Sequence, residues 1–260
     1  MTAPILQKTL PHMPWADPRT ARLPGTLPLT DDSWILQDEA FAPQMAERDR
    51  LIAERPGVVH ALTDAARPAA DELFDLVLAR LASAPGYQVG PGSARRPDGV
   101  AVPLDRSQPL LTLGRLVQED LCLLQKSGDE HVLTGAILCF PASWSLDEKL
   151  GRGLIGIHRT VRHYDEGLQP RVQRMFDGLR PEAPLWRMNA LVYVNPDLHQ
   201  PGREGAPRTD RTNGRFVRAE RQCIVRLPRT GAILFAIHTW QVLFDSLAPG
   251  DRAALMGARL

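Results

Sequence analysis

The chain predicts an α+β fold, a five-stranded antiparallel sheet flanked by helices on one side and preceded by an extended proline-rich arm. Three observations carry this. Five apolar or alternating runs of strand length lie between residues 116 and 240, two amphipathic helical patterns precede or interrupt them, and six prolines fall within the first 28 residues. Period-two alternation in Phe216–Leu227 sends Val217, Ala219, Arg221, Cys223, Val225 and Leu227 to one side, so Arg221 is a cation on an otherwise apolar strand face. Such a guanidinium requires an acidic partner, backbone carbonyls or a bound ligand, unless it reaches along the strand edge to water.

Each element has its own signal. Pro4, Pro11, Pro14, Pro18, Pro24 and Pro28 exclude regular helix from the arm, residues 1–35, with Trp15 and Trp34 as its anchors; residues 36–260 form the main domain. A short helix covers Gln44–Glu54 and stops at Arg55-Pro56-Gly57. A second spans Ala65–Leu81, where Leu73, Phe74, Val77, Leu78 and Leu81 recur at helical spacing and Pro68 occupies the first turn. Gly86–Asp98 reads as a loop. Leu116–Gln125 and His131–Phe140 are strands joined at Lys126-Ser-Gly-Asp-Glu130. Short helices follow near Leu146–Leu150 and Asp165–Leu179. The remaining strands are Leu185–Asn195, Phe216–Leu227 and Ala232–Trp240, and Pro196–Gly214 between the first two is a long loop or flap.

Composition excludes several classes. The chain has 31 Lys plus Arg against 30 Asp plus Glu, leaving no excess charge for nucleic acid or an anionic membrane. The cysteines, Cys122, Cys139 and Cys223, lack paired metal-ligand spacing and read as small buried thiols, which suits a reducing compartment. Nothing resembles a signal peptide or a membrane span, and a cytoplasmic protein is expected. Dinucleotide, P-loop, G-x-S-x-G and H-E-x-x-H motifs are absent. The remaining chemistry lies in polar residues in or beside the strands: Glu119, Asp120, His158, His163, Tyr164, Arg187, Asn189, Glu220, Arg221, Arg226 and His238. His158 closes the apolar run Leu154–Ile157, which suits a hydrogen-bonded core or cap residue as well as a ligand. His238 reads as a packed histidine or a pocket wall. Arg187 and Asn189 share a face with Leu185, Leu191 and Tyr193.

The ordered set Gln118-Glu-Asp-Leu121, Cys139-Phe-Pro-Ala-Ser-Trp144, Lys149-Leu-Gly151, Ile157-His158, Arg187-Met-Asn189, Glu220-Arg-Gln222, Arg226-Leu-Pro228 and Phe235-Ala-Ile237 resembles the α-subunit family of haem-dependent oxidative N-demethylases over roughly residues 30–245. The resemblance implies a PAS-like haem-binding fold and an oxidoreductase of monooxygenase type. Its substrates would be O2 and a small methylated amine, and its electrons would come from reductase subunits carrying flavin and iron-sulfur centres. It further implies His158 as the axial ligand of a b-type haem and a match at Tyr164. Arg187, Asn189 and Arg226 would contact the cofactor, and Arg221 with Glu220 would form a polarised distal pocket or a propionate clamp. Thr160 and Arg162 replace two prolines of the family pattern, Ala190 replaces a usual Trp, and His238 stands where a longer basic side chain is usual. A haem-binding sensor or carrier without turnover is the alternative reading, and an α+β protein that binds no haem is a third.

Overall fold

A computed structural model describes residues 3–21, 24–158, 168–206 and 213–257, the side chains of His158 and Gln169 excepted. The strands are β1 (Leu27–Pro28), β2 (His60–Leu62), β3 (Gln88–Val89), β4 (Ser93–Arg95), β5 (Ala101–Pro103), β6 (Asp120–Ser127), β7 (Glu130–Ile137), β8 (Leu185–Tyr193), β9 (Phe216–Arg226) and β10 (Ile233–Leu243). The helices are α1 (Phe41–Glu54), α2 (Pro56–Val59), α3 (Arg67–Leu81), α4 (Pro109–Gly114), α5 (Leu146–Lys149), α6 (Leu154–His158), α7 (Gln169–Gly178) and α8 (Pro249–Gly257). Among the described residues the principal sheet has seven strands, in the order β1-β8-β9-β10-β6-β7-β2, and every neighbouring pair is antiparallel.

The five expected strands form the centre of this sheet, and the expected total is corrected to seven by a short strand at each edge. Both additions are two or three residues long and lack any alternation of their own; β1 is the arm itself laid against β8 through Leu27 and Pro28. β6 starts at Asp120 rather than at Leu116, because the backbone N–H groups of Leu116 and Val117 bond the Leu113 carbonyl in the turn that ends α4, and the carbonyl of Gln118 is taken by Arg48. The segment expected as a loop at Gly86–Asp98 contains β3 and β4, which with β5 form a small separate sheet. Its β4–β5 turn closes through Arg96 N–H on the Val100 carbonyl, with Gly99 at φ +86°.

Helices cover both faces of the sheet, not one. On the first face the stripe Leu73, Phe74, Val77 and Leu81 of α3 packs with Leu121, Leu123, Cys223, Leu234 and Ala236. Each fully buried side chain of this kind contributes roughly 1.5–3 kcal/mol. Further along the same face, Leu10 and Trp15 of the arm and Leu255 of α8 cover Met188, Ala219, Trp240 and Val242. On the second face, Leu168, Val172, Phe176 and Leu179 around α7 pack on Cys122, Leu124, Ala136, Ile224 and Ile233. The cysteines are all buried and unpaired.

The two layers are tied by a buried ion pair. Arg48 of α1 donates from Nη1 to Asp120 Oδ1 at 2.7 Å, with neither side chain more than 1% exposed. Asp120 also accepts the backbone N–H groups of Cys139 and Phe140, at 2.7 and 2.9 Å, so one carboxylate anchors the start of β6, the end of the β7 segment and α1.

Candidate functional site

Alternation along β9 gives its two faces different chemistry. Arg218, Glu220 and Gln222 are buried side chains on the second face, where the register aligns three cross-strand rows: Ile237–Gln222–Arg187, Thr239–Glu220–Asn189 and Gln241–Arg218–Leu191. In-register neighbours on one face stand about 5 Å apart, so these side chains form one polar surface beside the apolar cluster under α7. Hydrogen bonds run across it. Arg218 Nη2 lies 3.1 Å from Glu220 Oε1, Gln222 Nε2 donates to Glu220 Oε2 at 3.2 Å, and Arg187 Nη1 donates to Gln222 Oε1. Arg187 Nε donates to the Pro24 carbonyl at 3.0 Å, and its second terminal nitrogen makes no hydrogen bond among the described residues. Burial pushes the Arg187 pKa down against the opposing charge of Glu220, the mark of a guanidinium short of anionic company.

The flap after β8 lies over this surface. Arg218 Nη1 donates to the Leu198 carbonyl at 2.8 Å, and Gln241 Nε2 donates to the Pro196 carbonyl at 2.6 Å. His199 Nδ1 is 2.8 Å from the Cys139 carbonyl. Downstream, Glu204 accepts Lys149 Nζ at 2.6 Å and Arg152 Nη1 at 3.0 Å, and these hydrogen bonds bring its pKa down to about 2. Gly202 is required there, since a Cβ would sit 2.9 Å from the Ser143 carbonyl carbon.

Arg187, Asn189 and Glu220 therefore come together. Arg221 does not join them. It points to the opposite face, where Nη1 donates to the Ser33 carbonyl at 2.6 Å, Nη2 to Ser33 Oγ at 3.0 Å, and the guanidinium stacks 5.2 Å from the Trp186 ring centroid. Adjacent residues of a strand project to opposite sides, so Glu220 and Arg221 cannot line one pocket. Arg226 is engaged at the end of α7: Nε, Nη2 and Nη1 donate to the carbonyls of Leu179, Phe176 and Gly231 at 2.6, 2.8 and 2.9 Å. Terminal helix carbonyls, otherwise unsatisfied, account for that placement. His158 is the last residue of α6, and its side chain lies outside the described residues, as do Thr160, Arg162, His163 and Tyr164.

His238 is a packed residue of the first face. Its Nδ1 is 2.8 Å from Glu119 Oε1 and its Nε2 is 3.2 Å from Asp38 Oδ2, with the side chain 2% exposed. Burial opposes charge here, but the hydrogen bonds to Asp38 and Glu119 and their negative charges outweigh it and raise the His238 pKa to about 9. Since the unfolded imidazole titrates near 6.5, the proton binds the fold more tightly than the open chain. The resulting stabilisation, on the order of 3 kcal/mol, is complete below pH 6.5 and is lost as pH rises through 9. Urea unfolding should accordingly show a falling midpoint between pH 6.5 and 9.5, flattened by His238→Gln; a midpoint that rises across that window contradicts the assignment.

Sequence reasoning missed Arg218, Thr239 and His199. Arg218 and Thr239 carry a signal in the alternation, as polar residues on one face of β9 and β10, whereas His199 sits in a flap without periodicity. Among the described residues no group of three or more His, Cys, Asp or Glu is placed to hold a metal ion, and no helix is long and apolar enough to cross a membrane. A protein-family model described as haem-dependent oxidative N-demethylase, alpha subunit-like, aligns with residues 25–257.

Proposed function

The chain belongs to the haem-dependent oxidative N-demethylase, alpha subunit-like family, and on that premise we propose that it binds haem b on the polar second face of its sheet and oxidises a small methylated amine. The family description is that of a subunit within a larger oxidase. We infer that the other components are reductase chains with flavin and iron-sulfur centres, since this sequence has no nucleotide fingerprint and no cluster-type cysteine spacing. We infer that the five central strands make up the PAS-like part of the fold.

The residues present suit the group. A porphyrin needs apolar walls, a cation for its propionates and an axial donor. The second face offers Phe235, Ile237 and Leu185, and beside them Arg187 with a terminal nitrogen that no described residue engages. His158, at the end of α6, would bind the haem iron, and Tyr164 is proposed as a further residue of the site. Bound haem would supply iron redox chemistry for the reduction of O2 with electrons from the partner chains. Everything else falls to the protein's own side chains. Glu220, held in place by Arg218 and Gln222, accepts an N–H of the amine, and Asn189 in the same cross-strand row orients it. Arg187 holds a propionate. In this reading Arg221 pins the arm over Trp186 from the far face, and Arg226 fixes the end of α7 against β9.

The observation that carries the proposal is the chain of hydrogen bonds Arg218–Glu220–Gln222–Arg187 on one sheet face, which sets a buried carboxylate near an under-partnered guanidinium. Protein expressed with ample iron and porphyrin precursor should show a strong Soret band that His158→Ala abolishes or shifts. Incubation with a chemical reductant, O2 and methylated amines should then release formaldehyde. A colourless protein that also fails to take up hemin rules the proposal out, and a haem spectrum without formaldehyde from any amine selects the sensor or carrier reading.

A further inference from the structure

The flap meets the segment that leads to His158 through one carboxylate. Glu204 Oε1 accepts Lys149 Nζ at 2.6 Å and Arg152 Nη1 at 3.0 Å, and the same Arg152 nitrogen lies 3.1 Å from Glu204 Oε2. The backbone N–H of Glu204 donates to Glu148 Oε2 at 3.0 Å, and Arg203 beside it pairs with Asp147 at 3.0 Å. Lys149 closes α5 and Arg152 stands two residues before α6, so this stretch of flap grips the connection between the two helices.

Arg152 carries the grip into α6. Its backbone is fixed on β7, because its carbonyl accepts the Leu133 N–H at 3.1 Å and the Leu133 carbonyl accepts the Gly151 N–H at 2.8 Å. Its stem lies along α6 at Gly156, where a Cβ would stand 3.2 Å from Arg152 Cβ and 3.4 Å from Cδ. Glycine is a poor helix former, and this close approach accounts for its place in a helix of five residues that ends at His158. The other end of the same side chain is the guanidinium on Glu204. Without that carboxylate, the Lys149 ammonium, on a side chain 3% exposed, would keep no acceptor among the described residues and would face the Arg152 cation alone. Both cations would turn toward water, and the Arg152 stem would leave Gly156.

We propose that Glu204 is a positioning residue for His158: through Arg152, with Lys149 as its second anchor, it braces α6 so that the imidazole is held for the haem iron. The inference rests on the haem-binding reading. Partners that orient a metal's ligands commonly change affinity about 10–100-fold when removed. Here the brace comes from the flap, which also bonds Arg218 beside Glu220 through the Leu198 carbonyl. Seating the ligand and fastening the flap over the carboxylate are then one event.

Release of hemin to excess apomyoglobin tests this without turnover. Glu204→Ala should release hemin at least about tenfold faster than the wild type. In His158→Gly supplied with free imidazole, the ligand is no longer tethered to α6, and the same replacement should change release less than about twofold. Equal acceleration in both backgrounds would give Glu204 a general structural role and overturn the proposal, as would wild-type release from Glu204→Ala. Arg152→Met, which keeps the stem over Gly156 and removes the cation, makes the same test should the alanine variant fail to fold. A wild-type protein that takes up no hemin defeats the haem-binding reading and this inference with it. A haem protein whose release is indifferent to Glu204 defeats this inference alone.

Discussion

Asp120→Ala is expected to lose about 3–5 kcal/mol of stability, enough to unfold much of the protein at physiological temperature. The carboxylate has three partners, Arg48 Nη1 and the backbone N–H groups of Cys139 and Phe140. Removing it strands a guanidinium that is 0% exposed in its side chain and leaves two buried amide donors unpaired. Arg48 would keep only the carbonyls of Gly114 and Gln118 and the Phe140 ring, whose centroid is 5.4 Å away. Urea denaturation followed by circular dichroism measures the loss, and a change below about 1 kcal/mol would show the pair to be dispensable. Arg48→Met combined with Asp120→Asn should lose less than the two single replacements together, because no charge is then left without its counterpart.

Glu220→Gln should reduce formaldehyde release about 100-fold or more while leaving the haem absorbance intact. The replacement keeps the shape but puts an amide where Arg218 and Gln222 both donate, so one of those donors loses its acceptor and the proposed amine site loses its anion. The effect should fall on kcat/KM through both binding and orientation. A variant within threefold of wild type would remove Glu220 from the pocket chemistry. Arg221→Gln serves as the contrast from the same strand. Its contacts are Ser33 and Trp186 on the other face, so a moderate fall in melting temperature with turnover retained is expected.

How far the sequence could lead depended on whether a signal was local. The five central strands were legible because β9 and β10 run eleven residues each and β6, β7 and β8 are apolar or alternating. β1 and β2 were not, since a strand of two or three residues exists through its neighbour's hydrogen bonds and carries no period. Arg221 was legible as an inward charge, but a sheet covered on both sides has two inward directions, and alternation cannot say which one holds the ligand. Glu220, read as its companion, faces the other way. Arg226 needed the end of α7, 47 residues earlier in the chain, to reveal its role. The His238 clasp depends on Asp38 and Glu119, about 200 and 119 residues away, and no spacing rule reaches that far. His199 likewise acquires meaning only when the flap meets Cys139.

The unlike faces of β9 bear on how faithfully this chain folds. Sliding the strand by one position against β8 and β10 would push Glu220 under the arm, toward the Asp38 and Glu119 carboxylates, and thrust Arg221 among the apolar side chains beneath α7. Like charges would crowd one layer and an orphan cation the other, so a slipped register is disfavoured by electrostatics as well as by packing. The residues that suit the strand to its chemistry also act as proofreaders of its alignment.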